Sequence, residues 1–252
     1  MLLPVLLAQA AAQPPPQRQA WMLDINPGDP ITLTLHATDV PLSELAADLG
    51  KQLKVPVTVD AALRPVTVTV RVDNRGLEEA LRFMAPQVRV LADYELTTSG
   101  PASKPVAIFF QSDAVEPPPL AVGKAASEIH VLTGDTEAGE RTPARRGATD
   151  ASPPLLVQLE NQVLTVRARQ QPLIAIIYAV AGQLGASVIV TAQTPSLQQL
   201  LSAPVDVQLE SADIEASVLA LSPAVQLYVR RDLHSAETRI LRIALVEPPN
   251  RF

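Results

Sequence analysis

The chain has 252 residues, 47% of them hydrophobic but only 3% aromatic, with 24 prolines and no cysteine. That length accommodates one or two domains with cores built from Val, Leu, Ile and Ala, and the missing cysteine excludes disulfides, cysteine-based zinc sites and thiol chemistry. A formal net charge of -6 with no strongly basic segment removes the cationic footprint that nucleic-acid binding requires, so no nucleic acid is expected as a partner.

The N-terminus reads MLLPVLLAQAAAQ, an apolar run ending in Ala8-Gln9-Ala10, the small-x-small form of a signal-peptidase site. Residues 1–19 are therefore expected to be a signal-like leader with a Pro-rich spacer. Export to the periplasm follows from it, with membrane association only through an uncleaved N-terminus.

Next, Trp21 to Ile25 is a short apolar run, followed by the turn signal Asn26-Pro27-Gly28-Asp29 and by ITLTLHA, in which Ile31, Leu33 and Leu35 alternate with Thr32, Thr34 and His36. Pro41 stands where a first helical residue belongs, and Leu42, Leu45, Ala46, Leu49 and Leu53 form one apolar stripe. Ser43, Glu44, Asp48, Lys51 and Gln52 make the wet face of that helix. Val55 to Val59 and Val66 to Val72 each alternate and are expected to pair with one another across the Asp60 to Arg64 turn. Gly76 then opens a second helix, with Glu78 and Glu79 in its first turn, where the helix dipole favours carboxylates. Pro86 stops it, and Val88 to Leu96 and Pro105 to Gln111 close the unit.

Residues 112–154 are rich in Pro, Gly and charge and carry few large apolar residues besides Ile129, Val131 and Leu132, so they read as a flexible, disordered linker. After them the same order of elements is written again. LLVQLENQVLTVRA is a hairpin with Asn161-Gln162 at its turn, and Pro172 takes the place of Pro41 at an offset of 131 residues. Leu173, Ile176, Ile177, Val180 and Leu184 carry the helix stripe, Ser187 to Thr191 is the next strand, and QTPSLQQLLSA reads as a longer loop. Beyond it the offset becomes 137: Val205, Val207 and Leu209 replace Val68, Val70 and Val72, Asp213 stands at the helix-capping place of Gly76, and Pro223 replaces Pro86. Tyr228 and the run Arg239 to Val246 complete the second copy. The reading is an α+β fold of two small β-α-β-β-α-β units, each with two helices packed on small sheets, over residues 20–111 and 155–252, joined by a disordered linker.

The order of a β-strand, a Pro-led helix with Leu-x-x-Leu-Ala spacing, a V-x-V-D turn, a V-T-V strand and a G-L-E-E-A-L helix resembles the short N-terminal domain of secretins and TonB-dependent transducers. The stretches that carry it are Thr34 to Leu49, Val57 to Val72 and Gly76 to Leu81, and more weakly Gln171-Pro172-Leu173, Val205 to Leu209 and Asp213 to Val218. The resemblance implies a periplasmic α+β unit that docks other proteins, such as secretion components or transmembrane signalling regulators. No barrel or secretin pore segment follows the second copy before Phe252, so docking without a channel of its own is expected.

Catalytic and metal-binding patterns are weak. His36, His130 and His234 lack partners at a metal-ligand spacing, with His36 read as a polar residue on the wet face of its strand. Glu78 and Glu79 point about 100° apart on a helix, and the serines lack a G-x-S-x-G elbow. No enzyme activity, cofactor or metal is expected. The run Leu173 to Val190 is 18 residues long and uncharged, but the repeat divides it into a helix and a strand rather than a membrane span.

That run holds the clearest difference between the copies. Ser43, Glu44, Ala47, Asp48 and Lys51 become Ile174, Ala175, Tyr178, Ala179 and Gly182, and every charge is lost. A helix apolar on both faces is covered on both faces. Two coverings are open: an element of this chain, or a partner. The second makes these five residues a protein-binding face. The function expected is a non-enzymatic periplasmic docking module, an adaptor or assembly factor for an envelope secretion or signalling complex, with an envelope protein or another copy of the chain as partner. The alternative is a small-ligand receptor or enzyme with its site between the two units.

Overall fold

A computed structural model describes residues 21–98, 103–112, 155–191 and 194–247. The leader, most of the 112–154 segment, His130 and the extreme C-terminus lie outside the described residues. The fold is α+β, as the alternation of period-2 and helical patterns requires.

The first repeat contains β1 (Trp21–Asn26), β2 (Thr32–Pro41), α1 (Leu42–Leu53), β3 (Val57–Val59), β4 (Thr67–Gly76), α2 (Leu77–Met84), β5 (Arg89–Thr97) and β6 (Lys104–Gln111). The second contains β7 (Leu155–Glu160), β8 (Val163–Pro172), α3 (Leu173–Leu184), β9 (Ser187–Val190), α4 (Pro195–Ser202), β10 (Pro204–Ser211), α5 (Ile214–Ala220), β11 (Val225–Asp232) and β12 (Thr238–Leu245). Thus α4 occupies QTPSLQQLLSA, where the sequence reads as a loop. Thr194 caps it by accepting a hydrogen bond from the Leu197 N–H, and Leu197 and Leu201 are buried. Pro41 and Pro172 are N-caps rather than first helical residues, each ending a strand at an extended ψ of 132° and 134°.

Two three-stranded antiparallel sheets, ordered β1-β2-β4 and β10-β8-β7, repeat one another. The expected pairing of Val55–Val59 with Val66–Val72 does not occur. Instead β3 runs parallel to β6, and β4 pairs with β2. Alternation reports which face a strand buries and says nothing of which edge it offers to a neighbour. Each repeat also carries the same bulge. Asp39 and Gln170, the offset-131 pair, take left-handed φ values of 53° and 48°. Each is held from the facing strand, the Asp39 N–H donating to Thr69 Oγ1 at 2.9 Å and the Gln170 N–H to Asp206 Oδ1 at 2.8 Å.

The third sheet joins the repeats. Its order is β3-β6-β5-β11-β12-β9, with β5 antiparallel to β11 at the centre and the short parallel strands β3 and β9 at the edges. One continuous core runs through both repeats, from Leu35, Leu45 and Phe110 to Leu164, Ile176 and Ile243. On the other face of the six-stranded sheet two smaller apolar clusters, Leu91, Ala107 and Phe109, and Ile189, Tyr228 and Ala244, lie on either side of the centre. The shared sheet is invisible in the repeat pattern, because a strand buried on both faces looks the same whether its neighbour comes from its own unit or from the other.

Candidate functional site

Helix α3 is built on the strand that precedes it. The Leu173 N–H donates to the Ala203 carbonyl at 3.3 Å, which docks the start of the helix beside the end of α4. Its far end closes in a Schellman arrangement: Gly185 takes a left-handed φ of 64°, and the Ala186 N–H reaches back to the Ala181 carbonyl at 2.9 Å. Leu173, Ile176, Ile177, Val180 and Ala181 are buried. Of the five sequence-derived face residues, Ile174, Ala175, Tyr178 and Ala179 are half-buried and Gly182 is exposed, so all five do gather on one helix away from its core stripe. Helices α3 and α4 touch one another, and β7 also touches α3, so elements of the same chain cover part of the helix. Ile174 and Tyr178 pack at the margin of the core. In the first repeat the matching positions Glu44, Ala47 and Lys51 are exposed.

A second concentration of chemistry lies where β5 meets β11. Asp93 and Arg230 face one another across the ladder and form a bidentate pair, Nε to Oδ1 at 2.6 Å and Nη2 to Oδ2 at 2.8 Å, with side chains only 4% and 3% exposed. The guanidinium also lies 5.1 Å from the centre of the Phe109 ring. On the opposite face Arg231 donates to Glu78 of α2 at 3.0 Å and to Glu215 of α5 at 3.1 Å, and stacks 5.0 Å above the Tyr94 ring. Burial alone would lower the pKa of Arg231, but the hydrogen bonds and charges of the two glutamates outweigh it and hold the guanidinium above its usual range.

The seam continues outward on both sides. Arg89 donates to Asp232 at 2.7 Å, and Gln226 donates to Glu95. Asp232 also accepts the N–H groups of His234 at 3.0 Å and Ser235 at 3.3 Å, while the His234 ring meets the Pro86 carbonyl at 3.2 Å. Burial raises the Asp232 carboxyl, and Arg89 together with the two N–H groups more than reverses this, leaving it below the usual carboxylate range. Burial and then the Glu95 charge push the Tyr228 phenol up to about 12.

Two cavities flank the seam at matching places. One of about 500 Å³ lies between the β1–β2 turn at Pro27 and Pro30, the start of α2 at Glu78 and Glu79, and Lys104. Its counterpart, about 770 Å³, lies at Gln162, Asp213, Glu215 and Arg239. Tyr94 lines the first, its hydroxyl buried beside Glu78. Burial, and then the nearby Glu78 charge, push that phenol upward. The titratable groups of the two repeats do meet, but in ion pairs that satisfy one another, and each cavity is lined from one repeat alone.

His36 is only partly exposed and sits 2.6 Å from Asp73, whose carboxyl is held low by that hydrogen bond and by Arg71. Among the described residues no group of three His, Cys, Asp or Glu side chains is placed to hold a metal ion, and no helix is long and apolar enough to cross a membrane. Sequence reasoning missed the seam residues Asp93, Glu215, Arg230 and Arg231. The signal was present at the offset of 137 residues, which sets Asp93 on Arg230 and Glu78 on Glu215. No protein-family model matches the chain, and neither a curated protein nor a solved structure matches it.

Proposed function

We propose that the chain is a non-enzymatic docking module of the bacterial envelope, an adaptor or assembly factor that works in the periplasm by contact with another envelope protein or a second copy of itself. In this reading residues 20–111 and 155–252 are two short secretin/TonB-type units and residues 112–154 link them. The order of motifs and the signal-like leader support the compartment and the class.

The observation that carries the reading is the contrast between α1 and α3. Helix α1 meets solvent with Glu44, Ala47 and Lys51, whereas α3 carries Ala175, Tyr178 and Gly182 at those places, and no charge anywhere along its length. Replacing the charges of Glu44, Asp48 and Lys51 with Ala175, Ala179 and Gly182 costs solubility unless the face is used, and an apolar helix face is a recurrent element of protein recognition. Ile174 and Tyr178 are the anchors of that face, since a large half-buried side chain gains most from further burial.

A photoreactive amino acid at position 178 of the full-length protein in its native cell tests this, with the same group at Ala47 as the solvated control. A discrete adduct from position 178, absent from position 47 and abolished by Ala175→Glu, is the expected result. Equal labelling from both positions, or retention of the partner by Tyr178→Glu, overturns it.

A further inference from the structure

The β5–β11 pairing has a hidden symmetry. Residues of the two repeats correspond at an offset of 137 in this region, from Leu77 with Ile214 through Pro86 with Pro223 to Val90 with Leu227. The ladder places Leu227 opposite Leu96, Val229 opposite Tyr94 and Arg231 opposite Ala92. One position alone falls opposite its own counterpart: Asp93 corresponds to Arg230 and is paired with it. A pseudo-two-fold axis therefore passes through that pair.

This surface is self-complementary by construction. The β5 strand of one chain fits the β5 strand of a second copy in the same register, as two-fold contacts do. Most of the seam would accept the exchange. Arg89 and Glu95 stand where Gln226 and Asp232 stand in the other repeat, so two β5 strands would bring Arg89 to Glu95 twice, and two β11 strands would bring Gln226 to Asp232 twice. Neither combination is repulsive.

The axis decides the outcome. Two β5 strands would bury Asp93 against Asp93, and two β11 strands would bury Arg230 against Arg230, at a site where the present side chains are 4% and 3% exposed. Like charges directly opposite in a sheet are repulsive, and burial without an opposite charge compounds the cost. The helix side adds to it, because a β5–β5 pair would hold two Glu78 carboxylates and no Arg231 between them.

We infer that Asp93 and Arg230 form a partner-selecting pair, committing β5 to the β11 strand of its own chain and rejecting β5 of a second copy. An attractive pair that excludes the wrong partner by repulsion is how specificity between near-identical surfaces is obtained. The inference is independent of any role for α3.

Full-length chains refolded from urea and sized by light scattering test it. D93R and R230D each place like charges on the axis within one chain, but refolded together they offer opposite charges between chains. A one-to-one complex of twice 26.9 kDa, absent from either variant alone, is expected. D93R/R230D restores the size distribution and melting temperature of the original chain. A double variant with Asp93→Leu and Arg230→Leu keeps the fold and loses the selection, so its dimer fraction rises at least about tenfold above that of the original chain at equal concentration. The inference is overturned by a leucine variant that refolds to the original size distribution, or by a D93R and R230D mixture that yields no joint complex.

Discussion

Asp232 closes the outer end of the seam with three hydrogen bonds, one from Arg89 and two from the turn that follows β11. Its carboxyl is held below the usual range, so the folded state favours the ionised form. The stabilisation is then complete above the unfolded carboxylate range near pH 4 and is lost as pH falls through the folded value. We expect Asp232→Asn to cost about 2 kcal/mol in urea denaturation at pH 7, the scale of a charged hydrogen bond. The gap to the original chain should close as pH falls from the unfolded carboxylate range down through the lowered folded value. A gap that persists unchanged in acid would assign the effect to side-chain shape instead of charge. Sequence reading placed Tyr228 in the closing strands, yet none of the ionic partners was legible there, since Arg89 and Asp232 are 143 residues apart.

Among the elements, α4 is where the two repeats differ most in backbone. In the first repeat a three-residue 3-10 turn, Ala61–Leu63, with no buried side chain, occupies the corresponding connection. In the second, Leu197 is fully buried in the core and Leu201 nearly so. We expect Leu197→Ala to cost about 2–4 kcal/mol, the range for removing a buried leucine from a packed site. Amide exchange in α3 should quicken in that variant, because α4 lies against it. Unchanged exchange in α3 would show that α4 is peripheral to that helix. The helix stripes, the turns at Asn26–Asp29 and Asn161-Gln162 and the Asp213 cap were legible in the sequence, the cap accepting the Ala216 N–H at 3.0 Å. These features are local, set by residues three or four apart or by a turn. The amphipathic signal of α4 was overlooked because PSLQQLLS is short and flanked by turn-forming residues, and in a stretch of eight a loop and a Pro-led helix share most of their composition.

For the whole molecule, the repeats are held by the central ladder, the polar contacts across the seam and one core, and none of these contacts depends on residues 113–154. A specific protease site placed within 134–147 should therefore yield two fragments that elute together and melt in a single transition after cleavage. Fragments that separate on a sizing column would show that covalent connection, rather than the seam, keeps the repeats paired. Repetition made the two copies legible in sequence, but the rule that joins them was written in a single pair of opposite charges 137 residues apart, Asp93 and Arg230.

That separation has a consequence while the chain emerges, N-terminus first, into the compartment where it folds. The first repeat arrives with β1, β2, β4 and β6 all available, while β11 has yet to follow. For that interval β5 is an open edge, flanked by apolar Val90, Leu91 and Leu96, the kind of strand on which incompletely emerged chains aggregate. Asp93, which later disappears into the ladder, is then a bare carboxylate in the middle of that edge, and it guards the unfinished protein against its neighbours before it serves the finished one.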